Sequence, residues 1–175
     1  VLRATLFAVV ALALILPTVM GFSFIAVLTS PGCGGETIPP FPHEAITFPS
    51  AEFGRNTPAY FIPAASPNGA TIIVLPTGRA GRGDRMGEIA VYHEGGYHVL
   101  SYSSRTCVSS VTNTLGYREA MQVSDALAYL NIRADVDPVR IGLHGFSAGG
   151  AAAIMAAAAN PSVRAVVAMG GYAHF

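Results

Sequence analysis

Gly145-Phe146-Ser147-Ala148-Gly149-Gly150 places one serine two residues from a glycine on either side. The chemistry this spacing suits is nucleophilic attack on an acyl carbon. A serine hydroxyl is a weak nucleophile unless it is held out of the packing and served by a base. Backbone amides aimed at the developing oxyanion lower the barrier further. The flanking residues fit a tight strand-to-helix turn: Val139–His144 reads as a strand, and Ala148–Asn160 as an alanine-rich helix stopped before Pro161. Such a turn strains the serine backbone, and side chains at Gly145 and Gly149 would strike neighbouring backbone. The turn lifts the hydroxyl above the carboxyl end of a sheet. The helix start beneath it supplies N–H groups and the positive end of a dipole, so Ala148 N–H is the expected first oxyanion donor. The competing reading is a glycine-rich turn that only packs a helix against a strand.

The elements that must position this turn alternate along the chain. Ala45–Phe48 and Ala59–Ile62 read as a leading antiparallel pair, separated by polar residues, Gly54 and Pro58. Thr71–Leu75 is a continuous apolar run, as a strand buried on both faces requires. A Gly/Arg loop follows, then a helix over Asp84–Glu94 ended by Gly95-Gly96, and a strand over Tyr97–Tyr102. Tyr117–Asn131 carries Ala120, Val123, Leu127 and Leu130 as the stripe of an amphipathic helix, and Val163–Met169 is the last strand. Strand–helix alternation with short connections predicts an α/β fold with a mostly parallel sheet flanked by helices.

The front of the chain is different in kind. No charged side chain occurs from Ala4 to Gly35, and Leu6–Leu28 as a helix would reach about 34 Å, enough for a hydrocarbon core of about 30 Å with some tilt. Residues 6–28 are therefore expected to cross a membrane, with a cleaved signal peptide as the alternative. The expected organisation is an anchor over 1–29, a Pro/Gly-rich linker over 30–43 and a domain over 44–175. Arg3 would stay cytoplasmic, which puts the domain outside the cell membrane. Spacing leaves open whether Cys33 and Cys107 pair, and two unpaired thiols is the favoured reading.

Composition excludes several function classes. In 175 residues, 51% hydrophobic, the ten basic side chains are all Arg and are balanced by ten acidic ones. The absence of Lys rules out a Walker A loop and lysine-nucleophile chemistry. Zero net charge removes the basic field that nucleic-acid binding needs, so no nucleic-acid partner is expected. His43, His93 and His98 lack metal-ligand spacing, and neither a metal nor a cofactor is expected. His144 reads as a satisfied core residue, and Glu119 and Asp125 as the solvated face of a helix.

The segment Asp137-Pro138-Val139-Arg140-Ile141-Gly142-Leu143-His144-Gly145-Phe146-Ser147-Ala148-Gly149-Gly150 resembles the nucleophile elbow of α/β-hydrolases. The chain from about Ala45 is similar to membrane-anchored and dienelactone-hydrolase-like serine hydrolases. The resemblance makes Ser147 the nucleophile, Gly145 and Gly149 the elbow glycines, and Ala148 N–H one oxyanion donor. Leu75-Pro76-Thr77-Gly78-Arg79-Ala80-Gly81-Arg82-Gly83 stands where relatives carry His-Gly and a third residue, so Arg79 N–H is the second donor and Thr77 replaces the histidine. Arg79, Arg82 and Arg85 otherwise read as a solvated loop. Ser103-Ser104-Arg105-Thr106 stands where relatives show Asp-x-Arg-Gly, a structural segment in which Arg105 matches.

In this family order the acid and the histidine of the triad follow the serine. Here no Asp or Glu follows Ser147, and His174 is the one histidine that does. His174 comes too early for the usual base. The expectation is an amino-terminal fragment of a membrane-tethered hydrolase that cleaves an ester or related acyl bond in a small-molecule or lipid-like substrate, inactive by itself. The alternatives are a non-catalytic hydrolase-like binding module, or an acyltransferase or peptidase on the same scaffold.

Overall fold

Helix α1 (Leu2–Thr29) runs unbroken through Pro17, and its Val9–Thr29 portion, 21 residues, is long and apolar enough to cross a membrane. The hydroxyls of Thr18 and Thr29 donate to the carbonyls of Leu14 and Ile25 at 2.8 and 2.9 Å, so these polar groups are satisfied within the helix itself. The computed structural model describes residues 2–172. It divides into two units that part between Ser30 and Pro31, and α1 belongs to the first. His174 lies outside the described residues.

The second unit is built on a six-stranded sheet. In chain order it contains β1 (Glu44–Ser50), β2 (Arg55–Ile62), β3 (Thr71–Val74), α2 (Met86–Glu94), β4 (His98–Tyr102), α3 (Arg105–Ser109), α4 (Glu119–Leu130), β5 (Ile141–Phe146), α5 (Ala148–Ala159) and β6 (Val163–Met169). The sheet order is β1-β2-β4-β3-β5-β6. β1–β2 and β2–β4 pair antiparallel, and the three remaining pairings are parallel. The leading antiparallel pair and the parallel body therefore match the expectation from sequence.

The side-chain period of two divides the strands between two cores. Phe61, Ile73, Leu75, Leu100, Tyr102 and Leu143 point to the face covered by α4 and α5, where Val123, Leu127, Leu130 and Ala152 complete the cluster. Tyr60, Ile62, Val74 and Val99 point to the other face, against Ile89 of α2. The alanines of α5 let that helix lie close on the sheet.

Element ends shift where a turn captures residues the pattern assigned to a helix or strand. α2 begins at Met86 because Arg85 takes a left-handed conformation (φ 64°) and the Asp84 carboxylate is engaged by Thr77. β5 begins at Ile141 because Asp137 closes a turn over Val139 and Arg140, accepting from their amides at 3.1 and 3.0 Å.

Three expectations are corrected. Cys33 and Cys107 form a disulfide across 74 positions of sequence. Two thiols that far apart carry no local signal, and only the fold brings them together. Consequently, the stretch expected as a linker is fastened to the domain from Cys33 onward: Gly34 N–H donates to the Arg79 carbonyl at 2.5 Å and Thr37 N–H to the Arg82 carbonyl at 3.2 Å. Glu119 is buried rather than solvated; it accepts from Thr114 N, Thr114 Oγ1 and Gly116 N at 3.0, 2.6 and 2.8 Å. Its helix starts there, so the carboxylate turns back to satisfy the preceding loop.

Arg105 supports the reading of its segment as structural. It is 2% exposed, grips Glu52 with Nε and Nη2 at 3.1 and 2.6 Å, and donates from Nη1 to the Thr112 carbonyl at 2.5 Å. Five donors in a planar fork let one side chain tie its own segment to two others.

Candidate active site

Ser147 occupies the one position between β5 and α5, with φ 55° and ψ −122°. That region is disfavoured for a residue with a β-carbon. A serine serving only to cap a helix takes an extended conformation and bonds an amide of the first turn. Ser147 makes no such side-chain bond and is exposed, so its hydroxyl faces outward from the bend. The backbone is held from both sides: Ser147 N–H donates to the Met169 carbonyl at 2.9 Å, and Ala151 N–H donates to the Ser147 carbonyl at 3.0 Å.

The two glycines are needed for contact reasons that the sequence pattern anticipates. A β-carbon on Gly145 would collide with the backbone of Gly149, and one on Gly149 would come within 2.7 Å of the Pro76 carbonyl oxygen. Gly150 is similarly crowded, with the Gly145 carbonyl and the Gly171 Cα both at 3.1 Å from its β-carbon position. The Gly149–Pro76 contact shows that the loop beginning at Leu75-Pro76 lies directly against the first turn of α5. Ala148 is buried in that turn.

The loop after β3 closes on itself. Ala80 N–H donates to the Thr77 carbonyl at 2.8 Å, forming a turn with Gly78 and Arg79 at its centre. Thr77 donates from its amide and its hydroxyl to Asp84 Oδ2 at 2.9 and 2.7 Å. The Thr77 amide is thereby spent on Asp84. Gly78 lies close to Asn113, whose Nδ2 is 2.5 Å from its β-carbon position and would have to shift to admit a side chain there. Sequence reasoning missed Asp84 and Asn113 because their contacts are tertiary. Arg79 is exposed and lines a cavity of about 480 Å³ with Gly32, Cys33, Gly34, Thr77 and Ala80.

The other arginines of this loop are not simply solvated. Arg82 pairs with Glu36 at 2.8 Å, stacks on Tyr60 with 4.2 Å to the ring centre, and donates to the Ala59 carbonyl. The hydrogen bond from the Tyr60 hydroxyl, with Arg82 beside it, holds the Glu36 carboxyl below the ordinary carboxylate range despite partial burial. Arg85 pairs with Glu88 and lies 4.7 Å over the ring of Phe146, the neighbour of Ser147.

The histidines among the described residues have partners other than Ser147. His43 and His93 hydrogen-bond from Nδ1 to the carbonyls of Phe41 and Pro63. His98 Nδ1 accepts from Ala64 N–H. His144, expected as satisfied, is only half so: its Nδ1 meets the Tyr92 hydroxyl at 2.8 Å, while the buried Nε2 has no partner. Burial pushes the His144 imidazole down from its ordinary value, so it is neutral at neutral pH. Among the described residues no group of three His, Cys, Asp or Glu side chains is placed to hold a metal ion.

Known proteins agree with this architecture. Residues 91–174 match the model of the dienelactone hydrolase family. A 52-residue stretch is 44% identical to thiohydrolase apmlB of Arthrinium phaeospermum, covering 30% of this chain and 17% of that protein. The esterase Pf2001 of Pyrococcus furiosus superposes with a TM-score of 0.70 at 20% identity, over 82% of this chain and 57% of its own. Dienelactone hydrolase of Anabaena variabilis gives 0.56 at 25% identity, over 74% of this chain and 63% of its own. The chain thus spans less than two thirds of these relatives. It has the fold of the α/β-hydrolases and, over residues 91–174, the sequence pattern of the dienelactone hydrolase family.

Proposed function

We propose that this chain carries the nucleophile and the oxyanion donors of a serine hydrolase acting on an ester or related acyl bond. The observation that carries the reading is the backbone of Ser147, strained at φ 55° and ψ −122° with the hydroxyl exposed and making no cap bond. Strain of about 1–3 kcal/mol persists where the surroundings impose it, and here the surroundings are two glycines and the strand below.

In this reading Ser147 Oγ attacks the acyl carbon and gives its proton to a general base. The amides of Ala148 and Arg79 take the oxyanion, and the helix dipole of α5 adds to them. Collapse breaks the bond to the leaving group, which takes up the proton, and water then releases the acid from the serine. The hydrogen bonds of the described histidines go to partners other than Ser147. The relatives' printed names, esterase and thiohydrolase, make oxygen esters and thioesters the two bonds to try.

Helix α1 and the Cys33–Cys107 disulfide support a membrane-tethered domain on the extracytoplasmic side, where disulfides persist. A lipid-like acyl substrate suits that location. The test is fluorophosphonate labelling of the protein expressed from its complete reading frame. A single adduct on Ser147, lost in Ser147→Ala, supports the hydrolase. No adduct on a folded protein would favour the non-catalytic binding module.

A further inference from the structure

We propose that the segment Cys33–Thr37 is a positioning strap of the active site, holding the loop that carries the Arg79 amide in its working geometry. The inference rests on Arg79 being an oxyanion donor, as proposed above.

The loop after the Thr77–Ala80 turn has glycines at 81 and 83 and no regular structure of its own. It is gripped from two sides. On the core side, Ser104 N–H donates to the Ala80 carbonyl at 2.9 Å, while the amides of Arg82 and Gly83 donate to the hydroxyls of Ser103 and Ser101 at 3.1 and 3.0 Å. On the outer side, the carbonyls of Arg79 and Arg82 accept from the strap amides of Gly34 and Thr37. The carbonyls of Arg79 and Arg82 thus go to the strap, that of Ala80 to the domain, and that of Gly81 to Asp84 N–H within the loop. The approach is backbone on backbone: β-carbons on Gly34 and Gly81 would lie 3.1 and 3.0 Å from the carbonyl oxygens of Arg79 and Gly35, and one on Gly83 would collide with that of Thr37.

Three fastenings keep the strap in place. The Cys33–Cys107 disulfide ties its start to α3, Glu36 pairs with Arg82, and the Tyr60 hydroxyl donates to the same carboxylate. The strap also contributes Cys33 and Gly34 to the lining of the 480 Å³ cavity. A strap with adjacent glycines at 34 and 35 has little to order it by itself, and the disulfide supplies what its side chains do not. An oxyanion donor works only when pre-placed, because a displaced amide no longer reaches the developing charge.

The test compares the complete protein with Cys33→Ser/Cys107→Ser and with Glu36→Ala, which leaves the disulfide intact at a half-exposed side chain. Two readouts are taken: the fluorophosphonate labelling rate, separated into its maximal rate and half-saturation, and deuterium uptake of peptides covering residues 77–83. The expected result is a maximal labelling rate lower by about tenfold with half-saturation unchanged within about twofold, a fraction of the about 10²–10³ that losing one donor outright costs. Uptake at 77–83 rises in both variants, while β4 stays protected. Unchanged uptake overturns the strap, and raised uptake with an unchanged labelling rate overturns its catalytic role. If the double variant does not fold, Glu36→Ala decides by the same readouts. A wild-type protein that takes no label defeats the serine reading instead, and the strap's hold on the loop is still judged by uptake.

Discussion

Gly145 and Gly149 face each other across the elbow with no room for a β-carbon on the first against the carbonyl of the second. Because the obstruction is backbone, no rotamer change relieves it. Gly145→Ala is expected to lose about 3 kcal/mol of stability, the upper end of overpacking costs, measured as a lowered urea midpoint with an unchanged slope.

Ser147 gives a prediction of opposite sign. Glycine tolerates positive φ without strain, so Ser147→Gly should gain about 1 kcal/mol in urea unfolding. Ser147→Ala keeps the β-carbon and should gain nothing. Both lose fluorophosphonate labelling. Equal stabilities for the two variants would contradict a strained elbow.

The Glu52–Arg105 pair makes stability depend on acid. Burial by itself would raise the Glu52 carboxyl, but hydrogen bonds from Arg105 and Arg118 outweigh it and hold the group below its ordinary value. A depressed carboxyl contributes stability that is present above the unfolded value of about 4.3 and is lost as the pH falls through the folded one. Thermal unfolding between pH 5 and pH 3 should therefore show a decline that Glu52→Gln flattens. Arg105→Met leaves Glu52 with Arg118 alone and the Thr112 carbonyl without its donor, and is expected to cost about 3 kcal/mol at neutral pH.

The apolar helix predicts partition. The complete protein should stay with membranes through an alkaline carbonate wash, and a version beginning at Pro31 should be released. Release of both would defeat the tether.

The alternating elements, the leading antiparallel pair and the elbow are legible in the order of the amino acids. Each depends on near neighbours: a period of two or 3.6, or glycines two residues either side of Ser147. The collisions that make those glycines obligatory, at Gly149 and Pro76, are where the motif's spacing requires them. Tertiary structure alone decided the Cys33–Cys107 pairing, the burial of Glu119 and Arg105, and the fastening of residues 33–37 to the loop at 79–82. Apart from the local turn that buries Glu119, those contacts join segments tens of residues apart. No local periodicity encodes such contacts, because which polar group meets which is settled only when the sheet brings their loops to one edge.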